Sequence, residues 1–153
     1  MPASETTAWY ERARRALANA GYRRGGARQA VLELLDRQPC ALSAIEIEDA
    51  LRHAAPRPRP RSVSRASVYR ILDELEALGL VARLEVGQSI VRFEPVREGH
   101  GHHHHLVCDR CGAITPFTDA ELERTIRHVS ERVPLDVTEH EIVLHGACND
   151  CAP

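Results

Sequence analysis

Apolar residues recur every three or four positions in the first 80 residues of this chain, which predicts a series of amphipathic helices. The first predicted helix ends before Gly21 and carries on one face Trp9, Ala13, Leu17 and Ala20. The second ends at Gln38-Pro39, and its apolar face consists of Ala30, Val31, Leu34 and Leu35.

Capping signals mark two further helices. Ser43 followed by Glu46 forms a capping box, which predicts a third helix that runs to about His53. The alternation of Pro and Arg from Pro56 to Pro60 is incompatible with a helix and predicts a stiff loop. A fourth helix begins at Ser64 and ends at Gly79, and one face of it carries Val68, Ile71, Leu72, Leu75 and Leu78.

The pattern then changes to that of a β-hairpin. Residues 81–86 and 89–94 read as strands, and Gly87-Gln88 between them reads as a tight turn. Helices followed by such a hairpin make a winged helix-turn-helix. This architecture places the helix after the turn in the major groove of DNA.

The early turns of the fourth helix supply polar side chains suited to DNA. Hydroxyl and guanidinium groups donate to phosphates and to guanine acceptors. The candidate contacts in this helix are Ser64, Arg65, Ser67, Tyr69 and Arg70. Arg24 and Arg28, near the start of the second helix, are candidate contacts to the DNA backbone. An ordinary surface helix with two solvated arginines remains an alternative for this segment alone.

The formal charge is unevenly distributed along the chain. Residues 1–95 carry a balance of +3 and the remainder −5, which together give the net charge of −2. A basic half beside an acidic half that is rich in metal ligands is consistent with a module for polyanions joined to a second module. The excess is small, and a mixed-charge solvated surface would give the same balance.

Two Cys-x-x-Cys pairs, Cys108/Cys111 and Cys148/Cys151, bracket the last third of the chain. Two thiolates three residues apart bind one ion from a tight knuckle, and two knuckles complete the closed tetrahedral set of a structural zinc site. Two disulfides or a redox pair are the alternative. No secretory signal or membrane-spanning run is evident, so we expect a cytoplasmic protein with reduced thiols.

The run from His102 to His105 adjoins the first cysteine pair. In a strand, alternation directs His102 and His104 to one face and His103 and His105 to the other, so that one run can serve two metal sites. The run is internal and flanked by Leu106 and Val107, which argues against a purification tag.

Two segments of the chain resemble the Fur family of metal-responsive repressors. The first is the segment from Val63 to Leu72, followed by Leu78-Gly-Leu-Val. The second comprises the histidine run with Leu106-Val-Cys-Asp-Arg-Cys-Gly112, together with the segment His145 to Cys151. The resemblance covers residues 10–151 in the same order. It implies an α+β protein with a winged-helix DNA-binding domain at 1–95, a hinge at 96–101 and a small α/β dimerisation and metal-binding domain at 102–153.

The family resemblance also implies the regulatory ligands. It places Glu123, on a helix predicted from Ala120 to Val133, and His140 with His102 and His104 in a three-His, one-carboxylate site. It places Glu94, at the end of the wing, with His103 and His105 in a site that joins the two modules. The remaining ligand of that second site is open among Cys40, Glu98 and His100. A metal that binds only when both modules are suitably posed shifts the population toward that pose.

The resemblance implies a homodimer that binds a pseudo-palindromic double-stranded DNA operator, with Zn²⁺ at the structural site and Zn²⁺ or Fe²⁺ at the regulatory site. The histidine run and the C-terminal Gly-Ala-Cys-Asn-Asp-Cys look most like the zinc uptake regulators, whereas Glu94 is closer to an iron-type site. An iron-responsive or peroxide-sensing repressor of the same family is the alternative. A zinc hydrolase or a metal storage or delivery protein is the alternative of another class, although neither needs a recognition helix and a wing.

Overall fold

The computed structural model describes residues 3–38, 40–54, 63–86, 90–98 and 102–152. It divides into two compact units, residues 1–100 and 101–153. The first is made of helices with a small sheet and the second of a sheet with one helix, which confirms the predicted α+β class. Within the described ranges, every helix is too short or too polar to cross a membrane.

The first unit contains the predicted series of helices. Their bounds are α1 Ala3–Asn19, α2 Gly26–Arg37, α3 Ala44–His53 and α4 Arg65–Ala77. Ser43 caps α3 through the predicted box, because its side chain accepts from the Glu46 amide while the Glu46 side chain accepts from the Ser43 amide. Ser64 caps α4 by accepting from the amide of Ser67. The predicted loop from Pro56 to Pro60 lies outside the described residues.

A three-stranded sheet closes the first unit. Its strands are β1 Leu42–Ser43, β2 Val81–Glu85 and β3 Val91–Pro95, in the order β1-β3-β2 with antiparallel pairing throughout. The hairpin of β2 and β3 is the predicted wing, and its predicted turn at Gly87-Gln88 lies outside the described residues. β1 has only two residues, so that no alternation could reveal it in the sequence.

The core of the first unit lies between the helices and β3. Phe93 from β3 is fully buried and packs with apolar residues of every helix: Trp9, Leu35, Ile47, Leu72 and Leu75. The indole Nε1 of Trp9 donates to the carbonyl of Leu80 at 2.9 Å, which ties α1 to the residue that precedes β2. The apolar face of α4 is therefore held by packing, and its opposite face is left for other contacts.

An ion pair between Arg28 and Glu74 joins α2 to α4. The Nε and Nη2 atoms of Arg28 donate to one oxygen of Glu74 at 3.1 and 2.6 Å, and the side chains are only 18% and 14% exposed. Nη1 of Arg28 donates to the carbonyl of Arg23. The guanidinium of Arg28 is thus engaged within the protein and joins α2 to α4, and its contact with the DNA backbone stays a prediction.

The second unit is built on a mixed sheet, which has one antiparallel and one parallel pair of strands. Its elements are β4 His104–Cys108, β5 Ile114–Phe117, α5 Ala120–Ser130 and β6 Val143–Gly146. Strand β4 lies in the centre, antiparallel to β5 and parallel to β6. Helix α5 ends at Ser130, earlier than the predicted Val133. Pro134 disfavours helical conformation at Val133, and in a continued helix its ring would clash with the carbonyl of Ser130.

The second unit buries few side chains. Among its described residues, only His104, His105, Val107 and Cys108 are buried. Several large apolar side chains stay exposed on this unit: Leu106, Val129, Val133, Leu135, Val137 and Leu144. A sheet and helix with so little core need another source of stability, which metal binding or association with a second copy can supply.

Replacing Glu74 by Ala should lower the free energy of unfolding of the first unit by about 1–3 kcal/mol, because Arg28 would be left partly buried without its partner. Urea denaturation followed by the fluorescence of Trp9, the single tryptophan, measures this change. Glu11→Ala is the matched control, since the Glu11–Arg14 pair is well exposed at 43% and 39%. Equal denaturation midpoints for both variants would contradict the structural role of Glu74.

Candidate metal centres and nucleic-acid interface

The two cysteine knuckles meet at one end of the β4–β6 ladder. The register pairs Cys108 with Gly146, which brings the residues after both strands together. The four sulfurs all lie within 4.8 Å of one another, and they belong to Cys108, Cys111, Cys148 and Cys151. The sulfurs of Cys111 and Cys148 are 3.8 Å apart. A tetrahedral zinc site with Zn–S bonds of about 2.3 Å requires S–S edges of about 3.8 Å, so that the four thiols fit this ion.

The thiols of this cluster differ sharply in acidity. The backbone amides of Cys148, Cys111 and Arg110 donate to the sulfur of Cys108 and lower its pKa to about 6. Hydrogen bonding to the sulfurs of Cys148 and Cys111 raises the pKa of Cys151 to about 12. The thiolate of Cys108 therefore forms readily, whereas the neighbouring sulfurs of the cluster oppose the ionisation of Cys151. A divalent cation reverses this preference because it stabilises all the thiolates at once.

A second centre combines three imidazoles and one carboxylate within the second unit. Its members are His102, His104, Glu123 and His140, each with a ligand atom within 4.8 Å of the others. Nε2 of His104 lies 2.7 Å from Oε1 of Glu123, and Nε2 of His140 lies 3.2 Å from Oε2. The ring centroids of His102 and His140 are 4.3 Å apart. The structure thus brings together the set that the family resemblance implied.

Three elements position these ligands. His102 and His104 share one side of the chain at β4, Glu123 lies in the first turn of α5, and His140 precedes β6. The cap of Asp119, whose carboxylate accepts from the amides of Glu121 and Leu122, fixes the start of α5 and with it Glu123.

The electrostatics of this centre suit a cation. Burial raises the pKa of Glu123, but hydrogen bonds with His104 and His140 outweigh burial and lower the pKa below its usual value. Burial lowers the pKa of His102, and the neighbouring His140 and His104 lower it further. A carboxylate that stays ionised and an imidazole that stays neutral are the forms in which these groups bind metal.

The predicted ligands of the other regulatory site belong to two different units. In the first unit, the sulfur of Cys40 lies within 4.8 Å of a carboxylate oxygen of Glu94. In the second unit, the rings of His103 and His105 are 5.0 Å apart. Each unit therefore presents two grouped ligands, and their sharing of one ion stays a prediction. Glu98 pairs with Arg12 at 2.6 Å, and His100 lies outside the described residues.

The candidate DNA contacts on α4 divide into two groups. Tyr69 is 42% exposed, and Arg70 is exposed with no ion pair to any residue in the described ranges. The hydroxyls of Ser64 and Ser67 lie 3.0 Å apart and take part in the helix cap. Arg24 is also exposed, in the segment before α2. Tyr69, Arg70 and Arg24 are therefore exposed and lie outside the helix cap, and Arg65, whose side chain is 53% exposed, is accessible as well.

Arg65 has a partner that the sequence did not indicate. Its Nε donates to Oε2 of Glu48 at 2.8 Å, and the other oxygen of Glu48 accepts from Arg52 at 2.9 Å. Glu48 is nearly buried on α3, although its type predicts a surface position. The four-residue spacing of Glu48 and Arg52 on α3 predicts their ion pair. No local pattern predicts the bond to Arg65, because Arg65 lies on α4.

The sequence pattern of one family extends over most of this chain. The model of the Ferric uptake regulator family matches residues 19–145. The chain belongs to the Ferric uptake regulator family. Members of this family are DNA-binding transcriptional regulators and not enzymes, which excludes the zinc hydrolase and makes this protein a metal-responsive regulator.

Individual family members match over most of their length. The Ferric uptake regulation protein of Vibrio anguillarum is 31% identical over 138 residues, which are 88% of this chain and 87% of that protein. The Peroxide-responsive repressor PerR of Staphylococcus aureus is 31% identical over 135 residues, 88% and 86% of the two chains. The structure of the Helicobacter pylori ferric uptake regulator, described as having three functional metal binding sites, aligns with a TM-score of 0.79 at 29% identity and covers 95% of this chain and 93% of that one.

Replacing Cys148 by Ser should abolish retention of the structural zinc, because three thiolates and a hydroxyl no longer form the soft closed set. The purified protein should lose one equivalent of chelator-resistant zinc per chain, together with ellipticity from the second unit. Cys40→Ser is the matched control, since Cys40 lies outside the four-sulfur cluster. Zinc retained by Cys148→Ser at the wild-type level would contradict this assignment.

Replacing Glu123 by Ala should weaken the binding of one metal equivalent per chain while the four-cysteine zinc stays bound. The carboxylate is the one oxygen donor of its centre, and its loss leaves only imidazoles. Competition titration with a chromogenic chelator measures the affinity, which should fall by about tenfold or more. Glu121→Ala is the control, because Glu121 is an exposed carboxylate in the same helical turn. Equal losses in both variants would show a general effect of charge.

Proposed function

We propose that this protein is a homodimeric repressor of metal-uptake genes, which binds a pseudo-palindromic operator when its regulatory metal is present, and that this metal is zinc. The observation that carries the proposal is the centre formed by His102, His104, Glu123 and His140. It lies in the same chain as an exposed recognition helix held on a winged core.

The donor set favours zinc. Three imidazole nitrogens and one carboxylate oxygen make a four-ligand set of the kind that zinc binds tetrahedrally. Ferrous iron accepts the same donors but commonly has more ligands or open positions. The relatives named above are iron and peroxide regulators, which keeps an iron-responsive repressor as the second candidate.

The second unit supports association into a dimer. Leu106 and Leu144 lie on the neighbouring strands β4 and β6 at paired positions, and they are 40% and 51% exposed. Apolar side chains grouped in this manner are typical of surfaces that become buried on association. A two-fold dimer presents two recognition helices to two half-sites, which doubles the base pairs that are read.

The metal can control DNA binding by ordering the second unit. Its few buried side chains leave α5 weakly held against β4 and the segment before β6. An ion held by His104, Glu123 and His140 fixes all three elements at once. A dimer with ordered second units holds its two DNA-binding units at a defined spacing and can then bind both half-sites of the operator. Repression follows because the bound dimer excludes RNA polymerase from the promoter.

The deciding experiment is the titration of DNA binding with buffered metal. Protein that retains its structural zinc is mixed with a fluorescent duplex that contains a family-like palindrome, and anisotropy is recorded against free zinc or, anaerobically, against ferrous iron. We expect saturable binding at low free zinc with iron ineffective. Activation by iron where zinc has no specific effect would assign the protein to iron or peroxide sensing. Binding that ignores both metals would contradict the proposal.

A further inference from the structure

We propose that Glu48, on the helix before the recognition helix, positions Arg65 for contact with the phosphates of the operator. The inference rests on the proposed DNA-binding function and adds a residue that does not itself touch DNA. Glu48 acts through Arg65, and its contribution is therefore one of orientation.

The geometry separates a fixed acceptor from an accessible donor. The side chain of Glu48 is only 11% exposed, whereas that of Arg65 is 53% exposed. The bond between them uses only Nε of Arg65, at 2.8 Å, so that both Nη groups remain without a partner among the described residues. A guanidinium held by its Nε still presents two Nη groups with four N–H donors, which suits a pair of phosphate oxygens.

The carboxylate of Glu48 is itself fixed. Its second oxygen accepts from Nη2 of Arg52 at 2.9 Å, one turn further along α3. Arg52 is 61% exposed and also lies 3.6 Å from Asp49. Because both oxygens of Glu48 are occupied and the side chain is almost buried, its position relative to α4 is well determined.

Two opposing effects of Glu48 on DNA binding follow from this arrangement. An arginine loses rotamer freedom when it binds a phosphate, and an arginine already held loses less. The negative charge of Glu48 acts in the other direction, because it lowers the positive potential that attracts the phosphates. A positioning role requires that the first effect exceeds the second.

The contrast with Arg28 and Glu74 supports this interpretation. Both side chains of that pair are largely enclosed, and Arg28 uses all three of its nitrogens inside the protein. Such a pair can only join helices. Arg65 is bound on one side and accessible on the other, at the first residue of the recognition helix.

The test measures affinity for the operator duplex in variants of the full-length zinc-loaded protein at several salt concentrations. Glu48→Ala removes both the acceptor and the charge, and we expect affinity to fall by about threefold to tenfold. Glu48→Gln keeps an oxygen that can accept from Arg65 and removes the charge. We expect its affinity to equal or exceed that of the wild type.

A double-mutant cycle separates orientation from general stability. Adding Glu48→Ala to Arg65→Ala should cause no further loss of affinity, because the group that Glu48 orients is absent. Adding it to Arg70→Ala should cause the full loss, because Arg70 has no described contact with Glu48. Circular dichroism and the fluorescence of Trp9 show that each variant is folded.

Two results would overturn the proposal. If the Glu48→Ala and Glu48→Gln variants both bind the duplex more tightly than the wild type, the only effect of Glu48 is that its charge repels the DNA phosphates. If Glu48→Ala causes the same loss with and without Arg65, its effect is structural. A wild-type protein that binds the duplex equally with and without zinc contradicts the proposed metal dependence, and the comparison at Glu48 still decides its own question.

Discussion

The parallel ladder between β4 and β6 positions both metal centres of the second unit. Its register pairs His105 with Val143 and Cys108 with Gly146. At one end of the ladder the cysteine knuckles meet, and at the other the histidines of β4 meet the segment that carries His140. A shift of the register by one residue would reverse the side of every ligand on the strand. Both centres therefore depend on one set of backbone hydrogen bonds.

The two units differ in how many side chains they bury. The first gathers apolar side chains from four helices and a strand around Phe93, and its ion pairs between helices add to an already closed core. The second has few buried side chains and exposes many apolar ones. The described part of the protein with the fewest buried side chains is thus also the part that carries the four-cysteine cluster and the histidine centre.

Local signals in the sequence predicted much of the structure. The capping box at Ser43, the cap at Ser64 and the apolar periods of α1 to α4 act within a few residues, and the spacing of the cysteines identified their cluster without knowledge of the fold. Features set by tertiary contacts were missed. β1 is too short for a pattern, Arg28 is enclosed by Glu74 from another helix, and the bond from Arg65 to Glu48 depends on how α3 and α4 pack. The histidine centre needed the family resemblance, because Glu123 and His140 carry no local mark.

The cysteine cluster and the histidine centre share strand β4, with only residues 105–107 between His104 and Cys108. A metal ion bound by the four thiols would add a restraint on the β4–β6 register to that of the backbone hydrogen bonds. If both centres bind metal as proposed, occupation of the cysteine cluster favours occupation of the histidine centre, because both draw on the same strand. In the proposed repressor, the affinity for the regulatory metal would then depend on whether the structural site is filled.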